Sequence, residues 1–444
     1  MRHSPLRIPI AGFAAALLLV LLAFAVPPLF DWQVWARSAS SLPDRAIPPL
    51  HGMWEPKLLG PGTVPALLIG VLGGRWLWRR ADELPFGVLL LAGYALCLGW
   101  ALSLALVDGT DGLSRVLGSS GEYLRTAREV GGIGHLLDIY IDHIPLDSPD
   151  NWPTHVAGHP PLALLFFVGL VRLGLGGDLA AGVVVTVLAC TTAPAVLVAL
   201  RALGIEDVAR RAAPFLVLTP AVVFMAVSAD GLFGAVAAWA LACLALACRA
   251  HGRRRLAWSV LAGLLFGAAV MMSYGLPLLG LLALAVLAAA RSWKPLVPTA
   301  LAALAVVVGF AVGGFAWWEA YPVLSRRYWD GIASIRPASY WMWGNLAALL
   351  ISMGPVVAAG LAEVGARRRV LERPLVLLVG AAVASIVLAD LSRMSKAEVE
   401  RIWLPFMPWL TIACAALPPR LRGWALAGQV LTAVLVQQLL YTSW

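Results

Sequence analysis

Charge is scarce in this chain. Lys, Arg, Asp and Glu make up 13% of its 444 residues and hydrophobic types 61%, whereas a soluble globular domain is about one quarter charged and about half apolar. That shortage excludes an ordinary soluble domain. Polar interruptions are also missing over repeated runs of about 17–25 residues, the length a helix needs to cross a bilayer. The runs are continuously apolar rather than alternating, which excludes a transmembrane β-barrel. The chain therefore reads as an all-α polytopic membrane protein. No segment is large enough to fold alone outside the membrane, so residues 1–444 read as one integral membrane domain.

Cysteine is sparse as well. Cys97, Cys190, Cys243, Cys248 and Cys414 all lie inside apolar runs with no metal-ligand spacing across loops, and they read as small core residues rather than disulfides or ligands. The sequence holds no Walker loop, no Gly-x-Ser-x-Gly, no His-Glu-x-x-His and no dinucleotide fingerprint on a strand, so the chemistries those motifs serve have no foothold here. The Ala and Leu bias points to a GC-rich bacterial genome.

The charge that is present has a sign and a place. Lys and Arg number 33 against 24 Asp and Glu, a net +9. The basic residues cluster in short loops beside apolar runs, which is how cytoplasmic faces are marked, so the excess points to membrane sidedness and not to nucleic acid. Arg2 and Arg7, then Arg75, Arg79 and Arg80, then Arg210 and Arg211, then Arg249 with Arg253 to Arg255, then Arg367 to Arg369, and finally Arg420 and Arg422 form the inner set. Segments 30–60, 108–160, 318–342 and 391–401, and the turn Ser228-Ala229-Asp230-Gly231, then fall outside. Two apolar runs lie between the outer Gly158 and the inner Arg210, where sidedness demands an odd number. Pro161–Gly176 is the one expected to stay in the interface, leaving about thirteen crossings on this charge rule. The first apolar run, Ala11 to Ala25 after MRHSPLRIPI, resembles a signal peptide but is long and followed by many spans, so it is read as a first helix.

The longest polar stretch runs from Asp108 to Leu162 and holds most of the histidines. A loop of this length between membrane segments is uncommon without a function, and ionisable residues gathered at a membrane face are candidates for a site. It contains Gly121-Glu122-Tyr123-Leu124, then short amphipathic stretches, then His159-Pro160-Pro161-Leu162, whose prolines suit the first turn of a helix.

Glu-Tyr, a loop and then His-Pro-Pro-Leu resemble the first extracytoplasmic loop of the GT-C glycosyltransferases, in particular the protein mannosyltransferase and aminoarabinose transferase branch. The whole chain also resembles actinobacterial membrane proteins of this class that end in a Glu-Val-Glu-Arg-Ile-Trp-Leu-Pro-Phe segment. The likeness to characterised enzymes covers roughly residues 86–250. Two extra apolar segments precede the acidic motif here, which the family places after its first helix, and Gly121-Glu122 stands where the family has Asp-Glu. The resemblance implies transfer of a sugar, in an inverting reaction, from a polyprenyl-phosphate donor to a hydroxyl of a glycan, lipid or protein acceptor. The site would lie in the 108–160 loop at the outer face of a bacterial plasma membrane, as part of cell-envelope assembly.

On that reading Glu122 is the candidate base, since an acceptor hydroxyl is a weak nucleophile and needs a carboxylate in reach. Its alternative is a solvated or helix-capping Glu. Asp230 is the second candidate catalytic carboxylate, or else an N-cap for the run from Gly231. Tyr123, His155 and His159 are candidates for substrate binding. The i, i+4 spacing of the two histidines would suit zinc on a regular helix, but the flanking Gly158 and prolines break that geometry, so no metal ligand is assigned and a divalent metal stays open. Asp138, Asp142, Asp147 and Asp150 lack the glycine and terminal Glu of a calcium loop and read as solvated. The departing phosphate calls for cations. Arg326, Arg327, Arg336, Lys396 and Arg401 are basic residues on the outer face; Arg401 has Glu398 one turn away as a competing partner. A lipid-linked-sugar transporter and a membrane acyltransferase using His159 are the rival readings. The first would need mid-span charges and internal repeats, which the chain nearly lacks.

Overall fold

The computed structural model describes residues 6–37 and 46–442. Within them the chain is a bundle of helices with one short sheet. Six helices are long and apolar enough to cross a membrane: Arg7–Leu29, Phe86–Asp108, Asp178–Ala202, Ala229–Arg249, Gly252–Met272 and Arg373–Leu391. Two bent pairs raise the number to eight: Leu296–Val312 with Trp317–Asp330, bent by 75°, and Ala338–Met353 with Val356–Arg367, bent by 105°. The protein is a multi-pass membrane protein.

Eight is fewer than the thirteen crossings read from apolar runs, and part of the difference lies in runs that the backbone breaks. The 61–78 run divides into Thr63–Leu68, a π segment Ile69–Gly73 and Gly74–Arg80. The 213–228 run breaks at Thr219-Pro220 after the Glu206–Val217 helix; the 343–363 run, counted above as one bent span, breaks at Gly354, whose φ of 85° suits glycine. Gln429 Nε2 donates to the Met353 carbonyl freed there, at 2.9 Å. Shorter apolar helices, Leu276–Ala290 and Met407–Ala416 among them, complete the bundle.

Packing is arranged around the Ala229–Arg249 helix, of which 83% of the apolar window is buried, against 17% for the peripheral Arg7–Leu29. Small residues let helices approach closely, as membrane packing requires: a Cβ at Gly263 would sit 2.2 Å from the Thr299 carbonyl oxygen of the Leu296–Val312 helix. Large apolar side chains on the outer faces, such as Leu18 and Leu21 on the first helix and Leu301 and Leu304 on the Leu296–Val312 helix, are exposed and form a lipid-facing surface.

The two ends of the bundle differ. At one end the basic loops meet: Arg210 donates to the carbonyls of Ala81 and Leu84 at 2.7 and 2.8 Å, and Arg211 pairs with Glu372 at 3.2 Å. At the other end the acidic and aromatic segments meet. There strands β1 (Gly52–Trp54) and β2 (Leu440–Thr442) pair antiparallel, and Lys57 pairs with Asp108.

The helix Pro161–Arg172 begins and ends at this second end. Tyr140 Oη donates to the carbonyl of His159 ahead of it, and Arg128 donates to Gly176 beyond it, at 2.8 Å, and pairs with Asp178. Twelve residues rise about 18 Å, short of the ~30 Å hydrocarbon core. It does not cross.

Candidate functional site

The Ala229–Arg249 helix carries Asp230 at its acidic end. Ser228 caps it, its Oγ accepting from Asp230 N at 3.1 Å, so Asp230 is not the cap and its carboxylate is available for another role. Oδ2 accepts from Arg401 Nη1 at 2.6 Å. Arg401 lies on the short helix Val399–Ile402, and its Nη2 donates to Glu398 Oε2 at 2.9 Å. The expected partner Glu398 is thus present, and Asp230 joins it as a second one. Asp230 is 4% exposed and Arg401 6%; a charge this far from water persists only when paired.

The 108–160 loop brings Glu122 to the same place. Glu122 precedes the Tyr123–Glu129 helix, and its side chain makes no capping bond. The loop doubles back so that His155 N donates to the carbonyl of Gly121 at 3.1 Å, which sets His155 Nε2 3.4 Å from Glu122 Oε1. Tyr123 stacks on Phe167, centroids 5.0 Å apart, and lies edge-on to His159. His159 shares its Nδ1 with the His155 carbonyl at 2.8 Å. Tyr140 Oη holds the carbonyls of Val156 and His159 at 2.9 and 3.1 Å, fixing the turn that opens Pro161–Arg172.

Burial sets the protonation states. It pushes Glu122 up to about 8; Asp230 and Glu398 push the same way and only Arg401 opposes. Burial first, then Arg401, pushes His155 well below its ordinary value. At neutral pH the Glu122–His155 contact thus joins two uncharged groups and is not an ion pair. Burial opposes ionisation of Glu398 but is outweighed by His51, Arg401 and Arg336, which hold its carboxyl well below the usual range. Burial pushes His51 down to about 4, so the two guanidiniums are the neighbours still charged at neutral pH.

His51, Glu400 and Arg37, not singled out in the sequence, complete the cluster together with the candidate cation Arg336. His51 N donates to Glu400 Oε1 at 2.7 Å, and Arg37 Nη1 donates to the His51 carbonyl at 3.1 Å. Arg336 Nη2 lies 3.4 Å from Glu398 Oε1, while its other nitrogens hold the carbonyls of Trp35 and Lys396 at 2.9 and 2.6 Å. The sequence signal was available for these: His51 follows Pro48-Pro49 in an outer segment, and Glu398 and Glu400 flank Val399 just before Arg401.

Three of the candidate cations stand apart. Arg326 is exposed on the Trp317–Asp330 helix. Arg327 is spent on the carbonyls of Ile144 and Trp152, where it anchors the 108–160 loop. Lys396 donates to the Arg336 carbonyl at 2.8 Å and sits over the Trp329 ring. Asp138, Asp142, Asp147 and Asp150 are exposed. Among the described residues no three His, Cys, Asp or Glu side chains are grouped so as to hold a metal ion. A small apolar void lies one turn beyond Arg401, with Cys97, Thr192, Met225, Leu404 and Met407 in its wall.

No protein-family model matches this chain, and no curated protein sequence does. Solved structures do. ArnT from Cupriavidus metallidurans in the apo state superposes with a TM-score of 0.50 at 20% identity, over 75% of this chain and 62% of that one. ArnT bound to undecaprenyl phosphate gives 0.50 at 19% identity with the same coverage. This is the GT-C fold. At such identity the likeness is one of architecture, and this chain spans about 62% of the length of the ArnT chains. Within a GT-C fold the acidic end of this bundle is where Glu122, Asp230, Arg401, His155 and His159 come together.

Proposed function

We propose that this protein is a GT-C-type glycosyltransferase that moves a sugar from a polyprenyl-phosphate donor to an acceptor hydroxyl at the outer face of a bacterial plasma membrane. The observation that carries this reading is the meeting, on a GT-C fold, of a buried carboxyl with a raised pKa (Glu122) and a buried guanidinium (Arg401). The 108–160 segment is then the catalytic loop of one membrane domain. The ArnT structure with undecaprenyl phosphate supports a polyprenyl-phosphate partner.

The chemistry follows from the groups. Ionised Glu122 takes the proton of the acceptor hydroxyl as its oxygen bonds to the anomeric carbon. The bond from that carbon to the phosphate oxygen breaks, and polyprenyl phosphate leaves with the electron pair. Arg401 faces the charge that develops on the leaving oxygen, in a site where burial makes it count for more than in water. Asp230 holds Arg401 in place. A base with a pKa near 8 transfers protons well at physiological pH once ionised.

The test is incubation of the purified protein with radiolabelled polyprenyl-phosphate sugars and candidate glycan, lipid and protein acceptors. Glu122→Gln is expected to lower turnover by about 10²–10⁴-fold, the usual worth of a positioned base. Equal turnover by the two removes Glu122 from that role. A second reading, transport of a lipid-linked sugar, draws on the broken helix at Gly354, a feature transporters share. Absence of transfer with every donor, together with uptake of a lipid-linked sugar into proteoliposomes, would favour it.

A further inference from the structure

The Glu398 carboxylate bridges two arginines: Oε2 lies 2.9 Å from Arg401 Nη2 and Oε1 3.4 Å from Arg336 Nη2. One anion between two buried guanidiniums is the arrangement that a phosphate also demands; Arg336 offers it Nη2, which the Ala36 carbonyl shares at 3.3 Å. The segment presenting it is strained. Arg393, Ala397 and Glu398 itself have φ of 57°, 69° and 62°, in the left-handed region that side-chain-bearing residues enter at a cost. Asn345 holds the segment in that shape, donating to the Ser395 carbonyl at 2.9 Å and accepting from Ala397 N at 3.1 Å. The Glu398 side chain is 23% exposed, whereas those of Arg336 and Arg401 are 4% and 7% exposed. The anion can leave more readily than the cations.

Resting on the glycosyltransferase reading, we propose that Glu398 occupies the seat of the donor phosphate. The lipid phosphate binds between Arg401 and Arg336 by displacing this carboxylate, which makes Arg336 the second phosphate-binding residue and Glu398 a built-in competitor. The exchange is one anion for another, so the buried arginines are never left unpaired. It also gives the 393–398 strap a direction in which to relax.

Titration of the purified full-length protein with undecaprenyl phosphate in detergent, followed by tryptophan fluorescence, tests this. Glu398→Gln removes the competitor, and the apparent Kd is expected to fall by roughly three- to tenfold, since affinity rises as the fraction of receptive protein grows. Glu398→Asn is a second variant, because Asn is favoured on left-handed backbone and keeps the strap folded if Gln does not; it is expected to tighten binding likewise. Arg401→Gln is expected to abolish binding. Inorganic phosphate, lacking the tail, is expected to bind far more weakly, and equal binding would overturn the assignment to a lipid phosphate. Wild-type binding that Arg401→Gln abolishes and both Glu398 variants leave unchanged or weaken overturns the proposal while sparing the enzyme reading. Absence of binding to all four proteins overturns both. A pH profile of transfer adds a readout that packing alone would not move. Glu122 is faced by His155, Arg401, Asp230 and Glu398, so removal of the Glu398 charge is expected to shift the rising limb to lower pH.

Discussion

Burying Glu122 is costly unless the residue has a use. Its pKa is raised from 4.5 to about 8, so the folded protein holds a proton that the unfolded chain releases above about 4.5. The stability this group supplies is fully present below pH 4.5 and is lost as pH rises toward 8. Glu122→Gln, neutral at every pH, is therefore expected to raise the thermal midpoint at pH 8 relative to wild type, by a margin that shrinks toward pH 5, while it lowers turnover. A variant that gains stability and loses activity together marks a residue kept for chemistry; an equal or lower midpoint at pH 8 would show that Glu122 is stabilised by contacts and not strained by burial. The sequence exposed Glu122, Asp230 and Arg401 because each is a rare charge beside an apolar run. His51 and Glu400 carried a weaker signal, because their contact is made through a backbone N–H and a fold-back over 349 residues, and Arg327 and Lys396 carried the same weight as Arg401 because all are outer-face cations.

Between neighbouring residues of one element the structure separates what sequence could not. Arg326 and Arg327 are adjacent on the Trp317–Asp330 helix, yet the first is exposed and the second reaches across 175 residues to the Trp152 carbonyl at 2.9 Å and also to Ile144. Hydrogen bonds from a charged donor are worth about 1.5–3 kcal/mol each. Arg327→Ala is expected to destabilise by a few kcal/mol on that scale, to lower the melting midpoint and to speed amide exchange over 140–152. Arg326→Ala is expected to do neither, and a matching loss in both would mean that the helix as a whole, not the Arg327 anchor, holds the loop. Elements of this kind explain the gap between apolar runs and long helices. Hydropathy sees the 343–363 run as continuous, because Gly354 and Pro355 weigh little in it, whereas the backbone turns by 105° there. Composition reports where a chain is greasy, and only φ and the hydrogen bonds report where it bends.

At the scale of the whole molecule, sidedness was the most legible property. The charge rule placed 30–60, 108–160, the Ser228–Gly231 turn, 318–342 and 391–401 on one side, and the structure draws His51, Glu122, Asp230, Arg336 and Arg401, one from each, into a single cluster. Arg172 is where the charge rule and the contacts disagree. Read alone, a basic residue ending an apolar helix marks the cytoplasm, but the turn after it is tied to Arg128 of the 108–160 loop. Single cysteines at Asp147, Arg172 and Arg254, all exposed positions, separate the two topologies in intact cells treated with a membrane-impermeant maleimide. The native cysteines are buried, or half-buried in the case of Cys248, and contribute little background. Asp147→Cys and Arg172→Cys are expected to label from outside, and Arg254→Cys only after permeabilisation. Labelling of Arg172→Cys together with Arg254→Cys would mean that Pro161–Arg172 spans the bilayer. The Asp178–Ala202 helix would then have to run the other way, and Asp230 would part from Glu122, which no glycosyl transfer at a single site survives.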